Sequence, residues 1–199
     1  MEEVLTKKTV QNLMEINGQV RGLALKSHKD FIIKEKGEEG LKKLEDFMEE
    51  LGYSVKYKDL SLMKFYPIGL EVIELLAIKK LFNFDEKKFI EIGEFGSKLS
   101  LILRVFMKYF VSIDRLIDQA PKIWNKYYTI GNFKIADFNK EKNYTILRIE
   151  NFNLHPLHCL HMRGYCSNVI KMVVKRNVSC EETKCIHKGD AYHEFLMKW

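Results

Sequence analysis

Proline and glycine are scarce in this chain of 199 residues, at three and eleven. That excludes collagen-like and proline-rich disordered compositions, and with 46% hydrophobic residues the chain can bury a substantial core. No apolar run approaches the roughly 20 residues that a membrane span requires. The opening MEEVLTKKTVQN lacks the basic-then-apolar order of a secretory signal, so a soluble, cytoplasmic protein is expected. Glutamine is rare beside abundant Lys, Glu and Ile, a bias found in hyperthermophile proteins. Cysteine is absent until residue 159.

What is present is unevenly placed. Lys and Arg total 33 against 27 Asp and Glu, yet residues 1–121 carry 20 of each sign, so the net +6 belongs to the remainder. Lys171, Lys175, Arg176 and Lys184 stand out there, but they spread over a helix, its exit and a strand, and no recognition helix accompanies them. Nucleic-acid binding by this chain alone is not expected. All four cysteines (Cys159, Cys166, Cys180, Cys185) and five of the six histidines (His155, His158, His161, His187, His193) fall within residues 155–199. In a reducing compartment, Cys interleaved with His points to metal binding before disulfides.

The periodicity divides the chain. Ser27 and Asp30 have the form of a cap for a helix starting near residue 28, and Leu41, Leu44, Phe47, Met48 and Leu51 recur at helical spacing up to a stop at Gly52. A further helix follows Tyr66-Pro67, Asn83 to Asp85 break it, and two or three more run to about Tyr128, with Pro121 suited to the first turn of the last. From Gly131 the period approaches two on either side of Asn139–Asn143, a hairpin signal. A helix over about 157–175 and a second hairpin, Val178–Lys184 with Ala191–Lys198, complete the pattern. The expectation is one α+β domain over 1–199, mainly helical in 1–130, then hairpin, helix and hairpin in 131–199.

A hairpin centred on Gly189 sets Cys185 opposite His193, and directly opposed residues have Cβ atoms about 4.5–5.5 Å apart. A thiolate and an imidazole so placed can share a zinc ion, with Cys159 arriving from the preceding helix. His158, His161, Cys166, Cys180 or water remain open as a fourth ligand. Cys180 has the opposite strand parity from Cys185 and points to the other face of a regular strand. Asp190 is explained by the Gly-Asp turn, and Glu194, next to His193, by the outer face.

Cys159-Leu-His-Met-Arg-Gly164 and Cys185-Ile-His-Lys-Gly189-Asp190-Ala-Tyr-His193-Glu-Phe195 resemble the end of the 4-vinyl reductase domain family, with His193 where that family usually has its last Cys. Gly18-Gln-Val-Arg21-Gly22, the Gly37-Glu-Glu-Gly40 helix and PKIWNKYYTIGNFKI are similar to the wider superfamily, which includes heme nitric-oxide-binding domains and TRAPP trafficking subunits. The resemblance implies a helical layer packed on a twisted antiparallel sheet, with a C-terminal helix and hairpin, an apolar ligand cavity and a homodimer. It selects Cys159, Cys185 and His193 as the metal ligands.

No Gly-x-Gly-x-x-Gly follows a strand, and Gly93-Glu-Phe-Gly96-Ser-Lys98 lacks the form of a phosphate loop and is expected at a helix junction. Ligand binding or sensing with a structural or redox-responsive zinc site is therefore expected ahead of a zinc-dependent or tetrapyrrole-related enzyme. Phe95, Phe106, Tyr109 and Phe110 are candidate cavity walls. A heme-based gas sensor would need an axial histidine in the helical half, where His28 alone stands, at what the sequence suggests is a solvated helix end.

Overall fold

The computed structural model describes residues 5–100 and 112–199. It has the expected α+β architecture: helices packed with a four-stranded antiparallel sheet, plus a two-stranded one. Helix α1 (Lys7–Met14) is capped by Thr6, whose side chain accepts the Thr9 amide. Strands β1 (Gln19–Arg21) and β2 (Phe65–Pro67) pair antiparallel. Three residues are too few for alternation to show in a sequence.

Helix α2 (Gly22–Glu50) begins earlier than residue 28. Ser27 does not cap it, because its hydroxyl donates to the Ala24 carbonyl within the helix. The break between the two expected helices is instead a kink at Gly37, whose φ of 70° strongly favours glycine. Helix α3 (Ile68–Phe82) closes on Asn83 in the left-handed conformation, and Asp85 caps α4 (Glu86–Leu99) by accepting the Lys88 amide at 2.9 Å. Helix α3 is buried at every position from Ile68 to Ile78, including Glu71 and Glu74. Helix α5 (Ile113–Tyr127) starts at Ser112, so Pro121 sits inside the helix rather than in its first turn.

Strands β3 (Asn132–Asn139) and β4 (Tyr144–Glu150) form the first hairpin, and helix α6 (Pro156–Val174) leads to β5 (Ser179–Lys184) and β6 (His193–Lys198). The sheet order is β3-β4-β6-β5, so β4 and β6 are central. Leu147, Ile149, Phe195 and Met197 are buried from these two strands, in one cluster with Met162 and Ile170 of α6. A second cluster joins α2, α3 and α4 through residues such as Phe31, Ile73 and Phe89.

The contact between α4 and α6 fixes the position of the site. A Cβ at Gly93 would lie 1.9 Å from the His161 carbonyl oxygen, and one at Gly164 would lie 1.9 Å from that of Ile90. The two backbones touch because both positions lack side chains. Gly93 thus belongs to the interior of α4 and not to a helix junction. Among the described residues no helix is long and apolar enough to cross a membrane.

Candidate metal centre and ligand cavity

Cys159, in the first turn of α6, faces the end of the second hairpin. Its Sγ lies 3.9 Å from Cys185 Sγ and 3.6 Å from His193 Nδ1. With Zn–S near 2.3 Å and Zn–N near 2.0 Å, tetrahedral angles put such pairs about 3.8 Å and about 3.5 Å apart. The three residues selected from sequence are therefore spaced as ligands of a single ion.

The histidine is oriented for that role. His193 Nε2 lies 3.0 Å from the Phe152 carbonyl oxygen, to which it donates, leaving the Nδ1 lone pair toward Cys159. Cys185 is held by a tight turn: its amide donates to Asp190 Oδ2 at 2.8 Å, and its carbonyl accepts the amides of Lys188 and Asp190. Gly189, with φ of 96°, allows that turn. Burial pushes the Cys159 thiol far above its ordinary pKa and also raises that of Cys185. Without an ion both sulfurs are protonated, so an entering metal must displace two protons.

A fourth donor, Glu182, was missed in the sequence. Its carboxylate joins Cys159, Cys185 and His193 with ligand atoms all within 4.8 Å of one another. Oε2 accepts from Lys188 Nζ at 3.3 Å, whereas Oε1, 3.6 Å from His193 Nδ1, is shielded from solvent and has no hydrogen-bond partner. Burial alone would raise the Glu182 pKa, but interactions with His193, Cys185, Cys159 and Lys188 hold it at about 2. The residue is thus a carboxylate with one oxygen unused.

A β-bulge explains the omission. Glu182 pairs with Phe195 and Lys184 with Glu194, with the register shifting between Glu182 and Lys184. Strict alternation would put Glu182 and Cys185 on opposite faces; the extra residue puts both toward His193. The expected direct pairing of Cys185 with His193 is also not formed, since the ladder ends at Lys184 and Cys185 opens a 3-10 turn, Ile186–Lys188. Cys180 pairs with Met197 and packs against the apolar core, so it shares the inner face rather than the opposite one, yet it is outside the donor group. Burial pushes its thiol up to about 12. Glu194 lies on the outer face with Arg148, as expected.

The remaining candidates for the fourth ligand lie elsewhere. Cys166 borders an apolar cavity. His158 and His161 belong to a buried polar cluster with His28, Glu71 and Glu74. His28 is fully buried, not at a solvated helix end, and its Nδ1 lies 2.7 Å from Glu74 Oε2. Tyr57 donates to the other oxygen of Glu74, and Tyr128 donates to Glu71 at 3.2 Å. Burial opposes a charge on His28, but Glu74 outweighs it and raises the pKa. Burial and the neighbouring imidazoles of His28 and His158 hold His161 neutral.

The cavity lies between α2, α5, α6 and the sheet and has a volume of about 80 Å³. Leu23, Leu116, Trp124, Tyr127, Met162 and Ile170 supply much of its wall, and His161 links it to the polar cluster. Of the aromatic walls suggested from sequence, Phe95 is not among the described lining residues. Phe95 stacks edge-on against Phe31 at 5.5 Å in the helical core, while Phe106, Tyr109 and Phe110 lie outside the described residues.

The same arrangement of helices and sheet occurs in solved structures. An H-NOX protein from S. oneidensis in the Fe(II)NO ligation state superimposes with a TM-score of 0.68 over 89% of this chain and 98% of that one, at 14% identity. A Tt H-NOX double variant gives 0.63 over 90% and 94%, at 11% identity. An Fe(II) unliganded H-NOX variant from K. algicida gives 0.63 over 89% and 95%, at 12% identity. The chain has the H-NOX fold. No family model matches the sequence, and no curated protein sequence matches it. Among the described residues the fold holds an apolar cavity and, at the junction of α6 with β5 and β6, a separate Cys/His/Glu donor set.

Proposed function

We propose that the protein is a ligand-binding sensory domain in which a zinc ion, held by Cys159, Glu182, Cys185 and His193, ties α6 to the last hairpin. The observation that carries the zinc assignment is the spacing of the sulfur and nitrogen atoms, 3.9 and 3.6 Å, together with the unused oxygen of Glu182. Two thiolates and one carboxylate around a divalent ion leave one negative charge, which Lys188 offsets. Four protein donors leave no open position, so this zinc is structural rather than catalytic.

The cavity is the sensing element. Among the described residues its wall is mostly apolar, with Ser27, His161 and the Tyr hydroxyls as polar groups, which suits a small apolar molecule. A homodimer would give such a domain a surface through which occupancy is transmitted. Native mass spectrometry of freshly purified protein tests these points together. The reading requires bound zinc and a co-purifying or added apolar ligand, and a protein free of both contradicts it.

A heme-based gas sensor is the second reading, favoured by the shared fold and by His161 and Cys166 on the cavity wall. The fit to heme is incomplete. Among the described lining residues no Lys or Arg meets the two carboxylates that heme carries, and His28 is engaged by Glu74. A Soret band on adding heme selects this reading, and its absence removes it.

A further inference from the structure

Helix α3 is buried on all sides from Ile68 to Ile78 and yet carries two carboxylates there, Glu71 and Glu74, which are 0% and 1% exposed. Around them stand His28, His158 and His161, each no more than 4% exposed. Burying such groups costs several kcal/mol per ion unless opposite charge is close. Every hydrogen-bond partner described for the two carboxylates is a histidine or a tyrosine, with no Lys or Arg among them.

The imidazoles themselves are imperfectly paired. Glu74 accepts from His28 Nδ1, so the lone pair of a neutral His28 ring lies on Nε2. That Nε2 faces His161 Nε2 at 3.4 Å, and His161 Nδ1 is buried with no hydrogen-bond partner. If His161 carries its proton on Nδ1, two lone pairs face each other. If it carries the proton on Nε2, the hydrogen bond is long and Nδ1 is an unpaired acceptor. A protonated His28, which Glu74 favours, can donate from Nε2 to His161 Nε2, but in every case His161 Nδ1 is left without a partner, and such buried groups are rare inside folded proteins.

A metal ion between the two Nε2 atoms removes the opposed lone pairs and sets the His161 proton on Nδ1. Two nitrogen ligands at 2.0–2.1 Å on a tetrahedral ion are about 3.3–3.4 Å apart, which is the spacing found here. Donor atoms of His28, Glu71 and His161 all lie within 4.8 Å of one another. The surroundings also have the form of an outer ligand shell. Glu74 orients His28, Tyr57 holds Glu74, and Tyr128 and His158 hold Glu71. Carboxylate-to-histidine contacts of this kind fix the tautomer that leaves the other nitrogen to the metal. A divalent ion balances the charge of the two carboxylates.

The geometry points to a second, interior metal site, in which His28, Glu71 and His161 bind a divalent first-row transition metal such as zinc, cobalt(II) or iron(II). It is distinct from the cysteine site: it contains no sulfur, and its ligands come from α2, α3 and the adjoining turn of α6. His161 also borders the apolar cavity, so the ion would stand at the cavity wall. Three protein ligands leave a position for water or for a cavity ligand with a donor atom.

Cobalt(II) titration of the metal-free full-length chain tests this, because thiolate-bound cobalt has a charge-transfer band that nitrogen and oxygen ligands do not produce. The wild type is expected to bind two cobalt ions, one with that band and one with only ligand-field bands. The Cys159→Ser/Cys185→Ser variant is expected to keep the second ion alone, and the His28→Gln/Glu71→Gln variant the first alone. If a variant fails to fold, wild-type stoichiometry and spectrum decide. A single thiolate-bound ion, or a second ion that persists in folded His28→Gln/Glu71→Gln protein, overturns the inference. Loss of the thiolate band alone overturns the zinc proposal and leaves this one standing.

Discussion

Cys159 Sγ and His193 Nδ1 lie 3.6 Å apart although 34 positions separate them in sequence. The contact brings the first turn of α6 to the start of β6. An ion there closes a long loop and fixes the helix that also carries His161 into the cavity wall. Cys159→Ser and Cys185→Ser are each expected to abolish the sulfur-bound zinc, lowering metal content by one ion per chain. Chelation of the wild type should lower its melting temperature by about 10 °C, the scale expected when a ligand held far above its dissociation constant is removed from a chain of this size. Metal analysis and thermal denaturation check both.

Zinc affinity should rise with pH. Burial raises both thiol pKa values above their ordinary range, so near neutrality the empty site holds two protons that the metal must release, while Glu182, at about 2, releases none. Below the thiol pKa values the apparent affinity is expected to fall about 100-fold for each unit of pH decrease. Calorimetry in buffers of different ionisation enthalpy measures the proton count. Release of no protons contradicts the thiolate assignment.

Glycine at the α4–α6 crossing should be irreplaceable. Alanine in an ordinary helix interior gains about 1 kcal/mol over glycine. At Gly93 and Gly164 the added Cβ would lie 1.9 Å from a backbone carbonyl oxygen, which the helices can relieve only by separating. Gly93→Ala and Gly164→Ala are each expected to destabilise by about 3 kcal/mol or more, since overpacking against backbone has no flexible side chain to absorb it. Denaturant unfolding shows the sign directly.

Much of this fold was legible in the sequence because its signals are local. Asn83 and Asp85 punctuate α3 and α4, Gly52 ends α2, and the change of period at Gly131 announces the first hairpin. The grouping of Cys159, Cys185 and His193 was expected from the resemblance read in their sequence motifs, and the structure brings their donor atoms together. Glu182 was not, because a bulge shifts strand parity and leaves no mark in composition. The interior cluster was overlooked for a different reason. His28 followed a serine that resembled a cap, although Glu71 and Glu74, three residues apart in the otherwise apolar run Ile68–Ile78, were a visible sign that polar partners must be buried with them.

Filling the cavity should separate ligand binding from metal binding. Ala120 lies on the cavity wall, in the turn of α5 before Trp124. Ala120→Phe is expected to weaken binding of an apolar fluorescent probe at least about tenfold, the cost of one to two kcal/mol of lost apolar burial. Zinc content should be unchanged. Unaltered probe binding would place the ligand elsewhere.

X-ray absorption at the zinc edge of freshly purified protein tests the central proposal most directly. The account predicts two sulfur scatterers at about 2.3 Å with nitrogen and oxygen at about 2.0 Å, the sulfur signal disappearing in Cys159→Ser/Cys185→Ser. Zinc surrounded by nitrogen and oxygen alone, or protein purified without zinc and unable to take it up, would contradict it.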